Sequence, residues 1–254
     1  MPRIALAVRF RTIELSFQTI PDHYIDLQNR LFSNDKLNLC VRRKMLVFPL
    51  VRHVSKKTTA ILLQTPLTPN QLTFLSLISG LASAWLFSLG SYGYNITAAA
   101  LLIISYVLDN CDGEIARAKS STSKFGRKFD DLSDWWVHAA VFIGIGLGAE
   151  TQKGDAMWWW IGLVAGLGAT INYFVVRYLE HSNKKSKQPS ELTTTEFSEV
   201  PTGTISLIIF VFRELFRADF CFLLFLLALL DVIWLILPAA AIGSQAYWMI
   251  AFYK

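Results

Sequence analysis

The sequence predicts an all-α fold that crosses a membrane six times, preceded by an amphipathic helix lying along the bilayer surface. Three observations carry this. The 254 residues are 53% hydrophobic with a mean hydropathy of +0.40, more apolar than a soluble domain of this length. Many of the apolar residues gather into runs of about 20, the length a helix needs to cross the hydrocarbon layer. The basic residues flank these runs instead of forming a patch. The net charge of +5 therefore reads as membrane orientation, not as nucleic-acid binding.

Residues 1–66 form a polar, basic N-terminal extension, and 67–254 form the membrane domain. Within the extension, residues 42–63 interleave cations with aliphatics (Arg-Arg-Lys-Met-Leu-Val-Phe-Pro-Leu-Val-Arg-His-Val-Ser-Lys-Lys and onward), as a helix in the headgroup plane does. Residues 1–40 read equally as part of such a surface segment or as a plain linker. Arg3, Arg9 and Arg11 interrupt the first 20 residues, so no signal peptide is expected. Thr68-Pro69 supplies an N-cap and a proline at the first helical position. They open a first span at about 70–89, which ends near Gly90 to Gly93. A second span is expected at about 95–117 and a third from about 130 to 149. The fourth, about 156–178, enters the membrane on Trp158, Trp159 and Trp160. Its Gly162 and Gly166 form a face for close packing. Residues 180–202, with Lys184, Lys185 and Lys187, read as a polar loop. The run from 219 to 253 is too long for one span. Asp231 and Pro238 place a break near 233–238 and leave two short helices, with 203–216 available to extend the fifth. Cys40, Cys111 and Cys221 show neither pairing nor zinc spacing and read as free thiols.

Lys and Arg set the orientation. Eleven fall within residues 1–66, five within 117–129 and six within 177–217, while the intervening connections hold none or one. Six spans put every strongly basic segment on one side, the cytosolic one.

The densest chemistry lies at 109–134. Asp109, Asp112, Gly113, Ala116, Arg117, Gly126, Asp130 and Asp134 follow the pattern D-x2-D-G-x2-A-R-x8-G-x3-D-x3-D. On a helix, Asp109, Asp112 and Ala116 share one stripe, and Asp130 and Asp134 share another on the next helix. Four carboxylates from two facing helices make a hard, oxygen-only site suited to Mg²⁺ or Mn²⁺. Two such ions about 4 Å apart would suit displacement at phosphorus. Gly113 leaves room for a ligand near the backbone, and Arg117 offers a planar fork to a phosphate. An ion or metal transporter would also place carboxylates in a membrane, but near mid-span and in two copies.

This pattern resembles the signature of the CDP-alcohol phosphatidyltransferase family. The wording Asp-Gly-Glu-Ile-Ala-Arg, the stretch Thr65-Pro-Leu-Thr-Pro-Asn-Gln-Leu-Thr73 and the Arg217-Ala-Asp219 entry are similar to the membrane domain of di-myo-inositol-phosphate-phosphate synthase-like enzymes. The resemblance implies a six-helix integral membrane enzyme, usually a homodimer, in the inner or cell membrane if the source is prokaryotic. Its site would face the cytosol and transfer a substituted phosphoryl group from a CDP-alcohol to a lipid or polyol-phosphate alcohol, releasing CMP. By position, Asp109, Asp112 and Asp130 would be metal ligands. Asp134 would complete the metal site and serve as general base. Asp109, Asp112, Gly113, Ala116 and Arg117 would hold the CDP portion, and Gly126 would let the loop pass close to the nucleotide. Residues 1–65 are too short for the nucleotidyltransferase domain that often accompanies this domain, so the CDP-alcohol is expected to be made elsewhere.

Two assignments have rivals. His138, one turn beyond Asp134, is an alternative base. Arg177, Arg213 and Arg217 sit at cytosolic helix ends, where they either bind a phosphate on the acceptor or meet lipid headgroups.

Overall fold

The computed structural model describes residues 50–185 and 219–253, and among them all regular structure is helical. In chain order the helices are α1 (Leu50–Leu62), α2 (Pro69–Ser88), α3 (Tyr92–Ala118), α4 (Lys124–Lys153), α5 (Met157–Lys185), α6 (Phe220–Leu229) and α7 (Ile236–Tyr253). Four of these, α2, α3, α4 and the Met157–Leu179 part of α5, are long and apolar enough to cross a membrane. The chain is an integral membrane protein on that basis. The apolar segments Phe220–Leu229 and Ile233–Gln245 are shorter.

Helix α2 begins where its sequence says it should. The Thr68 hydroxyl accepts from the Gln71 N–H, and the Gln71 side chain accepts from the Thr68 N–H, with Pro69 at the first helical position. Packing of α2 on α3 uses polar glue. Ser76, Ser79 and Ser83, one turn apart, donate to the carbonyls of Ser105, Leu101 and Ala98 at 2.9, 3.0 and 2.7 Å. Ser105 returns a bond to the Ser76 carbonyl at 2.8 Å. Such bonds join helices where lipid offers no hydrophobic drive. Packing of α2 on α4 uses absence of side chain. A Cβ on Gly144 would strike the Ala84 carbonyl, and one on Gly148 the Phe87 carbonyl. The expected glycine face of α5 is also used, since a Cβ on Gly162 would lie 2.7 Å from the Gly146 Cα of α4. The main core joins these helices to α6 through Phe87, Leu102, Val141, Ile145 and Leu224.

Several boundaries differ from expectation. Helix α4 starts at Lys124, not near 130, because the Ser123 hydroxyl accepts from the Gly126 N–H at 2.9 Å and caps it. Gly126 is therefore in the first turn of a helix and not in a loop. Helix α5 runs on to Lys185, past the expected loop start at 180. The break between α6 and α7 falls at Leu230–Val232, with Asp231 at φ +55°, followed by a single 3₁₀ turn at Ile233–Leu235. Pro238 lies just inside the start of α7, where a missing N–H does no harm. Of the expected surface helix at 42–63, residues 50–62 form α1, and 42–49 lie outside the described residues.

Candidate active site

The last turns of α3 and the first turns of α4 both lie against the N-terminal part of α2, through Thr73 to Asp112 and Asn70 beside Gly126. Asp109 and Asp112 come from α3 and Asp130 from α4, and one carboxylate oxygen from each lies within 4.8 Å of the others. Asp112 is 4% exposed, and its Oδ2 accepts a short hydrogen bond from the Thr73 hydroxyl of α2. Asp109 Oδ1 is buried and has no hydrogen-bond partner. Among the described residues, no ion pair reaches these three aspartates. Three mutually close anionic groups, one with an orphaned oxygen, are costly to assemble without a compensating cation. The donor set is all hard oxygen, which fits a divalent ion such as Mg²⁺ or Mn²⁺.

Asp134 lies one turn beyond Asp130 and is close enough to interact with Asp109, but it is not one of the three converging ligands. It is exposed and lines a cavity of about 330 Å³ between α4 and α5. Trp135, His138, Asn172, Tyr173 and Arg177 contribute to the same cavity. His138 has both ring nitrogens engaged. Nδ1 lies 2.7 Å from the Asp134 carbonyl, which can only accept, so Nδ1 carries the proton. Nε2 then accepts from the Tyr106 hydroxyl at 2.8 Å. Both ring nitrogens thus have partners within the protein, while the Asp134 carboxylate faces the cavity.

Of the residues expected to hold the nucleotide, Gly113 and Arg117 lie together on α3. The Arg117 guanidinium folds back, 3.2 Å from where a Gly113 Cβ would stand. Gly126 lets the first turn of α4 approach α2, since a Cβ there would lie 3.0 Å from Asn70 Oδ1. Ala116 is half-buried on the same stripe as Asp109 and Asp112. Of the three arginines, Arg177 donates to Asp131 Oδ2 at 2.6 Å and lies over the Tyr173 ring, 5.6 Å from its centroid. Arg213 and Arg217 lie outside the described residues, as does Cys40; Cys111 and Cys221 are free and buried.

Three participants were not singled out from the sequence. Thr73 supports Asp112. Asp131 occupies Arg177. Glu114 takes hydroxyl bonds from α1, Ser55 at 3.0 Å and Thr59 at 2.7 Å. A signal for Thr73 was present, because it closes the Thr65–Thr73 stretch that carried part of the resemblance.

Comparison with known proteins identifies the family. The family model described as CDP-alcohol phosphatidyltransferase matches residues 66–242. A bifunctional IPC transferase and DIPP synthase of Rubrobacter xylanophilus is 37% identical over 102 residues, 37% of this chain and 21% of that protein. An archaetidylinositol phosphate synthase of Pyrococcus horikoshii is 33% identical over 100 residues, 39% of this chain and 52% of that protein. A CDP-diacylglycerol–serine O-phosphatidyltransferase of Helicobacter pylori is 41% identical over 68 residues, 27% of each chain. The matched stretches thus span about a fifth to a half of these relatives.

Proposed function

Because the chain belongs to the CDP-alcohol phosphatidyltransferase family, we propose that it transfers a substituted phosphoryl group from a CDP-alcohol to an acceptor alcohol, releasing CMP. The carrying observation is the convergence of Asp109, Asp112 and Asp130 within 4.8 Å, next to a cavity that Asp134 lines. Asp109, Asp112 and Asp130 would hold Mg²⁺ or Mn²⁺, one ion or two, with Asp134 beside them, and the bound charge would offset the diphosphate and the departing CMP.

The residues of the chain divide the remaining work. Gly113 and Ala116 keep the wall of α3 low where the nucleotide lies, and Arg117 supplies a charged fork to its phosphate. Gly126 keeps the opposite wall, at the start of α4, equally low. The acceptor occupies the α4–α5 cavity, and its hydroxyl oxygen forms a bond to the phosphorus that carries the donor alcohol. The bond from that phosphorus to CMP breaks, and CMP leaves with the electron pair. Asp134 takes the hydroxyl proton during attack, as an alcohol needs. His138 and Tyr106 hold the turn that carries Asp134 and take no proton from substrate. Where the acceptor bears a phosphate, Arg177, with Arg213 and Arg217, would bind it, and Arg177 would exchange Asp131 for that group.

The reading extends to placement. Helices α6 and α7 would be short fifth and sixth spans, and α1 would lie in the interface with Arg52, Lys56 and Lys57, all exposed, toward headgroups. The concentration of Lys and Arg supports a site on the cytosolic face, and the resemblance supports a homodimer. Relatives named for inositol phosphate and serine transfer make polyol phosphates and small alcohols the first acceptors to test. The experiment is a panel of CDP-alcohols crossed with such acceptors, using purified protein in detergent and reading CMP. At least one pair should release CMP only when both substrates are present. No acceptor-dependent CMP from any pair would contradict the proposal.

A further inference from the structure

The end of α3 has two working faces. Asp109 and Asp112 converge with Asp130 of α4, and Asp112 also meets Thr73 of α2. Val107, Cys111 and Glu114, spaced by four and three, look the opposite way toward α1. Helix α1 is held there at three points. Its first two N–H groups, of Leu50 and Val51, donate to the Asp219 carboxylate at 2.8 and 3.0 Å, and Asp219 is fully buried. Val51 packs against Val107 and Cys111. Ser55 and Thr59, 0% and 1% exposed, donate to the two oxygens of Glu114 at 3.0 and 2.7 Å. Ordinary apolar packing could hold a helix in place. A bidentate pair of hydroxyl bonds to one carboxylate also fixes rotation.

We infer that Glu114 is a positioning residue, fixing through Ser55 and Thr59 the rotation of α3 that presents Asp109 and Asp112 to the metal; this rests on the proposed function. The magnitude is adequate. A carboxylate on α3 sits about 5–6 Å from the helix axis, so a 10° rotation moves its oxygens by about 1 Å. A metal site tolerates a few tenths of an ångström in ligand distance, and productive constellations are held within about 0.5 Å. Thr73 restrains Asp112 from the α2 side, and Glu114 restrains the same turn from behind.

The test is Mn²⁺ binding by the purified full chain, read by electron paramagnetic resonance of free Mn²⁺, together with Mn²⁺ activation of CMP release and thermal unfolding. Thr59→Val keeps side-chain shape and deletes one hydroxyl; it is combined with Ser55→Ala. The double variant should bind Mn²⁺ about 10-fold more weakly, with kcat at saturating Mn²⁺ and KM for the CDP-alcohol within about twofold of wild type. Thr59→Ser, which keeps the hydroxyl, should bind Mn²⁺ as wild type does, and Thr59→Val should bind it more weakly. Unchanged Mn²⁺ affinity in the double variant, or loss of kcat and unfolding temperature with no change in affinity, would overturn the inference. If the double variant does not fold, Thr59→Val against Thr59→Ser decides the matter alone. A wild-type chain that binds no Mn²⁺ would instead remove the reading on which the inference rests.

Discussion

Placing the same substitution at two glycines should give opposite results. At Gly144 a Cβ would strike the Ala84 carbonyl oxygen and lie 3.0 Å from its carbon and 3.3 Å from its Cα. All three atoms are backbone of α2, so no rotamer change relieves the contact. Ordinary carbon contacts need about 3.5–4 Å, and the helices would have to part by roughly 1 Å, forfeiting up to half the dispersion energy along the seam. Overpacking of this kind costs about 2–3 kcal/mol. For a chain of this size that lowers the unfolding temperature by about 5–10 °C. At Gly93, in the first turn of α3, a Cβ meets nothing within 4 Å. Alanine there removes backbone freedom from the unfolded chain and should leave stability unchanged or raise it by up to about 1 kcal/mol. Thermal unfolding of Gly144→Ala and Gly93→Ala in one detergent measures the difference. Equal shifts in the two variants would refute the claim that α2 and α4 meet backbone to backbone at Gly144.

Three further outcomes concern the site. Thr73→Val, which loses the donor to Asp112 at nearly constant shape, should raise the Mn²⁺ concentration for half-maximal turnover about 10-fold. Thr73→Ser should keep that concentration near wild type, and an unchanged activation curve for Thr73→Val would remove Thr73 from the site. Asp134→Asn should retain CDP-alcohol binding while kcat falls by about 10²–10⁴-fold. His138→Gln should fall far less, and the reverse order would transfer the base to His138. Arg177→Ala should raise KM for a phosphorylated acceptor and leave KM for the CDP-alcohol unchanged; equal effects on both, or none, would point to a headgroup contact.

The sequence disclosed the site better than its surroundings, for a physical reason. Asp109 and Asp112 lie one turn apart on one chain segment, as do Asp130 and Asp134, so helical periodicity alone places each pair on a face. The N-cap at Thr68 and the glycine face of α5 were legible likewise, because their partners are local or their chemistry admits few uses. Thr73 and the Ser76–Ser79–Ser83 series were not, since a hydroxyl in an apolar helix has no partner until a second helix is placed against it. Glu114 stood inside the signature, yet its partners are 55 and 59 residues away. The helix start at Lys124 is hidden because the basic stretch before Asp130 shows no apolar period, and only the Ser123 cap marks it. The position of the α6–α7 break was drawn toward Pro238, a residue that the first turn of a helix accommodates as readily as a loop does.

The central claim is that Asp109, Asp112 and Asp130 together hold the metal on which phosphoryl transfer depends. Its most direct test is CMP release after exhaustive chelation and Mn²⁺ add-back, run on wild type and on the three single Asn variants. The wild type should fall to background with chelator and recover fully with Mn²⁺, and each variant should remain at least ~100-fold slower even at high Mn²⁺. Turnover that survives chelation, or any of the three variants at the wild-type rate, would contradict the account.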